Sequence, residues 1–173
     1  MANLPIPIPY SWNVGDSFTA AIGNSTRDAL SFLLNPPVFR GYQSTSQSVP
    51  ANAVTPLAID TVIVDSYGGH STTVNTSRYT AQVPGWYLVI GGAGFGTSST
   101  GARLVRIHKN GALIPASQFG VPNPSPDITT AVQSSALVYL AAGDYVEANG
   151  YQSSGAPLST DNDTSLTVLW WHA

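Results

Sequence analysis

The chain has 173 residues, of which only 9% are charged, with a net charge of −3 and no cysteine. An ordinary soluble domain carries about 25% charged residues, so this surface rests on Ser, Thr, Asn, Gly and Pro. Such a chain lacks the basic footprint of a nucleic-acid binder, and it has no thiols for disulfides or thiolate metal sites. The same scarcity of charge suits surfaces buried between subunits. No apolar run reaches the roughly 20 residues of a membrane-spanning helix. Prolines at 5, 7 and 9 argue against the apolar helix of a signal peptide. The expectation is one soluble domain with a small appendage, with no nucleic-acid partner and no membrane insertion.

Residues 1 to about 15 read as an extended arm. The run Leu4-Pro5-Ile6-Pro7-Ile8-Pro9 favours polyproline geometry and cannot fill a central strand. A helix follows over Ser17–Leu34, with Phe18, Ile22, Ala29, Leu30, Leu33 and Leu34 near one face at three- and four-residue steps. Asp16 or Ser17 can cap its start, and Asn35-Pro36-Pro37 stops it. Gly23-Asn24-Ser25-Thr26 is a weak stretch that leaves two shorter helices open. The apolar stripe needs cover, either from the body of its own chain or from helices of sister chains.

From Pro37 onward the pattern is strands and turns: Val38–Tyr42, Val54–Ile59, Thr61–Val64, Arg78–Gln82, Trp86–Gly92 and Arg103–Lys109. Ala112–Pro115, Ala131–Leu140, Tyr145–Tyr151 and Ser165–Trp171 complete the series. Asn110-Gly111 signals a tight hairpin, Ala141-Ala142-Gly143-Asp144 a second turn, and 98–101 and 122–127 read as loops. The expected fold is all-β, an antiparallel jelly-roll sandwich of eight to ten strands over 37–173, preceded by the arm and helix of 1–36. The strand from Trp86 is apolar on both sides. Trp86, Leu88 and Ile90 alternate with Tyr87, Val89 and Gly91, a pattern suited to a sandwich whose outer face meets another copy.

Few residues point to chemistry. His70, His108 and His172 lack a Gly-x-Ser-x-Gly nucleophile elbow. His70 suits a hydrogen bond to a backbone carbonyl; a metal shared with Asp65 would need further ligands. Asp161 and Asp163 are spaced as in a calcium loop, without its Gly or terminal Glu. No carboxylate pair is singled out for glycoside hydrolysis, and the Gly-rich run 91–96 has no Lys or helix after it to hold a phosphate. The expectation is a protein with no active site, no cofactor and no metal.

Three stretches carry a resemblance: "SRYTAQVPGWYLVIGG" (77–92), "RLVRIHKNGALI" (103–114) and "SALVYLAAGDYVEANGYQ" (135–152). Pro-Gly-x-Tyr, a strand closed by Asn-Gly, and Leu-x-x-Gly-Asp-x-Val occur in this order in the trimeric jelly-roll superfamily of complement globular heads and tumour-necrosis-factor-like domains. This chain departs from those heads at its end, "SLTVLWWHA". Residues 12–37 and 65–80 also resemble modules of small tail and appendage proteins of actinobacterial phages. The resemblance implies a non-enzymatic homotrimeric virion protein, made in the host cytoplasm and attached through 1–36 to other virion proteins.

In the related trimers one face of such strands fills the sandwich and the other packs on neighbours. Tyr87, Tyr145, Tyr151, Leu169 and Trp171 are the trimer candidates on that basis. Ile6, Ile8, Trp12, Phe18, Ile22, Leu30 and Leu33 are the candidates for the particle anchor. Loops 96–101, 119–128 and 152–163 are candidates for holding a host cell-surface glycan. Tail or fibre placement is the leading expectation, with capsid decoration or a head fibre as the alternative and a free carbohydrate-binding module as the rival class.

Overall fold

A computed structural model describes residues 5–122 and 124–173; Leu4 of the expected arm and Asn123 of the expected 119–128 loop lie outside them. The helix α1 spans Ala20–Leu34. It starts three residues later than Ser17 because Thr19, not Asp16 or Ser17, is the cap: its extended backbone lets its hydroxyl accept the Ile22 N–H at 3.3 Å. Asp16 is engaged earlier, accepting the Asn13 N–H and the Tyr10 hydroxyl, each at 2.7 Å. Residues 23–26 do not divide the helix. The Thr26 hydroxyl donates to the Ile22 carbonyl at 3.1 Å, while Ser25 reaches out to the Ile8 carbonyl of the arm. The Asn35 N–H closes the last turn on Ser31 and Phe32, and Pro36-Pro37 cannot extend it.

The strands are β1 (Val38–Tyr42), β2 (Ser48–Val49), β3 (Thr55–Pro56), β4 (Thr61–Asp65), β5 (Arg78–Thr80) and β6 (Gly85–Phe95). They continue with β7 (Ala102–Lys109), β8 (Ala112–Pro122), β9 (Thr130–Leu140), β10 (Tyr145–Gln152), β11 (Leu158–Ser159) and β12 (Ser165–His172). One sheet runs β4-β1-β12-β6-β9 and the other β3-β10-β7-β8, with β5 also on β10; β2 and β11 form a small third ladder. All ladders between these strands are antiparallel. This is a jelly-roll sandwich.

The core lies between the sheets and takes Phe39, Tyr79, Tyr87, Val89, Phe95, Ile107, Leu140, Val146, Leu166 and Val168. The Phe39 ring stacks on Tyr79 at 5.3 Å, and Tyr79 meets Tyr87 at 6.5 Å. Tyr87 is fully enclosed, its hydroxyl donating to the Val83 carbonyl at 2.6 Å. That corrects its assignment to a subunit contact, since a ring locked inside its own sandwich cannot reach a neighbour. At Asn110-Gly111 both φ angles are positive, 50° and 82°, as a tight hairpin requires. Asn110 and Asp144 then bind each other at 2.7 Å, joining the two expected turns.

The registers give the sandwich two distinct ends. β6 begins beside the end of β12 and the end of β9, next to α1, and its other end, Phe95, pairs with Thr130. Ala102 pairs with Pro122 at that second end. Segments 96–101, 124–129 and 153–164 therefore all lie at the end opposite the helix. An 11-residue strand separates the two ends, by roughly 35 Å at about 3.3 Å per residue.

Gly91 faces the core, where an added Cβ would stand 2.7 Å from Ile107 Cδ1 and 2.8 Å from the Ala148 Cβ. Gly91→Val should therefore overpack the sandwich and cost about 1–3 kcal/mol. Chemical denaturation of the two proteins under identical conditions measures this; equal midpoints would refute it.

Candidate functional site

The two outer faces of the sandwich differ in chemistry. On the β3-β10-β7-β8 sheet, Tyr145, Glu147, Asn149 and Tyr151 of β10 share a parity opposite to the core residues Val146 and Ala148. Register sets Glu147 beside His108 and Asn149 beside Arg106. Arg78 lies over the Tyr145 ring at 4.1 Å and donates to Glu147 at 3.1 Å, and Arg106 lies over Tyr151 at 5.3 Å. Burial lowers the His108 pKa, which favours the neutral ring there. This face is polar, and among the described residues the buried Arg106 Nε, His108 Nε2 and Asn149 Nδ2 on it have no hydrogen-bond partner within the chain.

The β4-β1-β12-β6-β9 sheet presents the reverse. Val38 stands opposite Leu169, Leu169 opposite Leu88, and Leu88 opposite Leu137. Residues directly paired across an antiparallel ladder lie on one face, so these four make an unbroken apolar row over β1, β12, β6 and β9. Beside it Trp86 pairs with Tyr139, their rings 6.0 Å apart and edge to face. Trp171 emerges from a bulge at the end of β12, 67% exposed, and Leu137 is 55% exposed. The next row of the same face is more polar: Arg40 stands opposite Thr167 and Val64, Thr167 opposite Ile90, and Ile90 opposite Ser135. β4 adds Val62, Ile63 and Val64 as an exposed apolar edge.

Of the five expected trimer residues, the structure therefore places Leu169 and Trp171 on the apolar face. Tyr145 and Tyr151 are on the opposite, polar face and Tyr87 is in the core, so the five do not form one surface. Val38, Trp86, Leu88, Leu137 and Tyr139 belong to the apolar face and were not anticipated.

Of the expected anchor residues, Ile8, Trp12, Phe18, Leu30 and Leu33 are exposed, and Ile6 is half-buried. Ile22 is buried within the chain, which corrects its assignment to a contact with another protein. Phe18 precedes the helix rather than lying on it and stacks against Trp12 at 6.2 Å.

The loops at the far end are tied down. Arg103, fully buried, donates to the carbonyls of Ser98, Thr100 and Ala102 at 3.0–3.1 Å. The Gly96 N–H bonds to Ser159 and Thr100 to Ser154, which joins the 96–101 and 152–163 loops. Asp161 spends a carboxylate oxygen on the Asp163 N–H at 3.0 Å, a turn-closing bond. Among the described residues, no group of three or more His, Asp or Glu side chains could hold a metal ion. The His70 ring nitrogens meet the Arg78 and Ile59 carbonyls at 2.7 and 3.0 Å, while Asp65 accepts the Gly69 and His70 N–H groups. Both side chains are thus engaged with backbone. No described helix is long and apolar enough to cross a membrane.

Comparison with solved structures places this architecture. It superposes on the globular domain of zebrafish complement 1qA with a TM-score of 0.58 at 16% identity, covering 79% of this chain and 99% of that one. Against the Eiger tumour necrosis factor of S. frugiperda the TM-score is 0.56 at 16% identity, covering 78% and 90%. Murine APRIL gives 0.55 at 15% identity, covering 78% and 98%. The fold is that of the complement heads and tumour-necrosis-factor domains. No family model matches the sequence. An uncharacterized protein of Acanthamoeba polyphaga mimivirus is 28% identical over 127 residues, 71% of this chain. The chain spans about half, 54%, of that relative's length.

Asp60 holds the 43–47 segment at the loop end, its two oxygens accepting the Ser44 and Thr45 N–H groups at 2.6 and 2.8 Å. Desolvation pushes its carboxyl up, but those N–H groups, with the two side-chain hydroxyls, together hold it far below the usual carboxylate range. A depressed carboxylate contributes stability that is fully present above its unfolded value, about 4, and is lost as pH falls toward the folded one. Stability should therefore decline below about pH 4, and Asp60→Asn should flatten that decline. Unfolding curves from pH 6 to pH 2 test this; parallel profiles for the two proteins would count against it.

Proposed function

We propose that this chain is a non-enzymatic structural protein of a virus particle, a homotrimer whose N-terminal segment joins a phage tail or fibre. The loop end of the jelly roll is its displayed surface. The apolar row Val38-Leu169-Leu88-Leu137 carries the reading. Exposed apolar patches larger than a few hundred square ångströms are rare on monomers and mark contacts with partners. A sheet with one face in the core and the other apolar is completed by copies of itself closing around an axis. The complement-head and tumour-necrosis-factor fold supports such closure, and the mimivirus relative supports a viral setting.

The two-ended layout supports the division of labour. Arm and helix leave one end, while the loops bound by Arg103 and Thr100 leave the other. Those loops, 96–101 and 152–163, together with the end of β8 and the loop after it (119–128), are the surface proposed to meet a host glycan. The tail placement rests on the resemblance of 12–37 and 65–80 to phage appendage modules.

Light scattering of the full chain should give three times the chain mass. Leu137→Asp changes a side chain that is exposed within one chain, so the sandwich should still fold while the particle falls to one chain mass. A one-chain mass for the unaltered protein, or a trimer untouched by Leu137→Asp, would sink this assembly.

A further inference from the structure

On the helix, apolar residues cover more of the circumference than the chain itself buries. At about 100° per residue, Phe32, Ala29, Ile22, Leu33, Leu30 and Leu34 sweep an arc of roughly 200°. Its first part, Phe32, Ala29 and Ile22, is buried within the chain. The second part is open: Leu30, Leu33 and Leu34 are 56%, 63% and 86% exposed. A helix that needed only its own body would carry one apolar stripe, roughly 100° wide, and polar residues elsewhere. Within that arc Ser25 and Thr26 spend their hydroxyls on the Ile8 and Ile22 carbonyls. The side outside it carries Arg27, Ser31, Asn24 and Asp28, with Arg27 and Asp28 paired to each other at 2.8 Å.

The open part is also shaped. Phe18 folds back over Gly23, where a Cβ would meet its ring at 2.9 Å. With Trp12 it forms one wall of a groove whose other wall is Leu30 and Leu34, edged by Thr26, Ser31 and the Asp28-paired Arg27.

The position of the helix on the sandwich indicates what fills this groove. Phe32 packs edge to face on Trp170 at 4.8 Å, the Trp170 N–H bonds to the Pro37 carbonyl at 3.0 Å, and the Tyr67 hydroxyl bonds to the Asn35 carbonyl at 3.1 Å. Trp170 points in to the helix and the next residue, Trp171, points out at the edge of the apolar sheet face. The covered side of the helix and the unfilled sheet face thus meet at one joint, on adjacent residues of β12, and the open stripe flanks that covered side.

We propose that the groove is occupied by the same helix of a second copy, so that the helices of the trimer form a neck continuing the sheet contact. This rests on the trimer reading above. The stripe has no unpaired charge that would call for a charged partner, and every copy brings an identical apolar stripe to the axis.

The chain contains no cysteine, so single cysteines report cleanly. In the full chain, Leu30→Cys lies in the open stripe and Asp28→Cys on the polar side. A disulfide needs Cα atoms within about 7 Å. Under mild oxidation Leu30→Cys should give covalent dimers within a particle of trimer mass, while Asp28→Cys remains single chains on denaturing gels. A trimer in which Leu30→Cys links no more than Asp28→Cys overturns the neck and leaves the trimer standing, with the groove then facing another protein. A one-chain mass for the unaltered protein overturns both. As a second reading, Leu30→Asp with Leu34→Asp should raise the trimer's dissociation constant at least tenfold; an unchanged constant overturns the neck.

Discussion

A sheet has two faces, and in this protein the outer face of β4-β1-β12-β6-β9, as well as the inner one, carries an apolar row across four strands. Hydration of apolar surface is unfavourable in proportion to its area, and one face cannot be covered by the chain that owns it. The inner face is closed by the second sheet, through Tyr87, Val89, Leu166 and Val168. The outer face, Val38, Leu169, Leu88 and Leu137, has no such lid in the described chain. The rest of the design follows from this asymmetry. The opposite sheet is polar instead: Arg78 pairs with Glu147, Glu147 stands opposite His108, and Arg106 opposite Asn149.

The ends of the sandwich take their character from strand direction. β6 and β12 run antiparallel, so the start of one and the end of the other share a site. Pro84, whose carbonyl accepts the Trp170 indole N–H, and Pro37, whose carbonyl accepts the Trp170 N–H, lock that site to the helix. Prolines with their ring-fixed φ make this joint stiff, so the helix direction is inherited from the sandwich. At the far end Arg103 replaces a hydrophobic plug with a guanidinium bonded to two carbonyls of the 96–101 loop and to that of Ala102 at the start of β7. A buried cation without a carboxylate beside it is costly unless its donors find acceptors. The 96–101 loop is held because it supplies two of those that the Arg103 terminal nitrogens use, while the buried Nε has none.

Much was legible from residues alone. Turn chemistry at Asn110-Gly111 and Gly143-Asp144, the stop at Asn35-Pro36-Pro37, and period-two runs without intervening helices determined an antiparallel sandwich behind one helix. These signals are local, and local propensity is what sequence reports well. Parity on β10 was legible too: Glu147 and Asn149 mark one side of the strand as polar, and Tyr145 and Tyr151 share it.

Parity on β6 and β12 was decided only by tertiary structure. Neither side of Trp86–Gly92 carries a charge, so alternation states that two faces exist without saying which is inward. Gly91 settled it: only a residue without Cβ fits against Ile107 and Ala148, which turns Tyr87 and Val89 to the core and Trp86 and Leu88 outward. The same holds for the helix. Its periodicity showed an apolar stripe, but how much of that stripe its own chain covers depends on where Trp170 and Tyr67 meet Phe32. Those residues come from distant parts of the chain, and only folding brings them together.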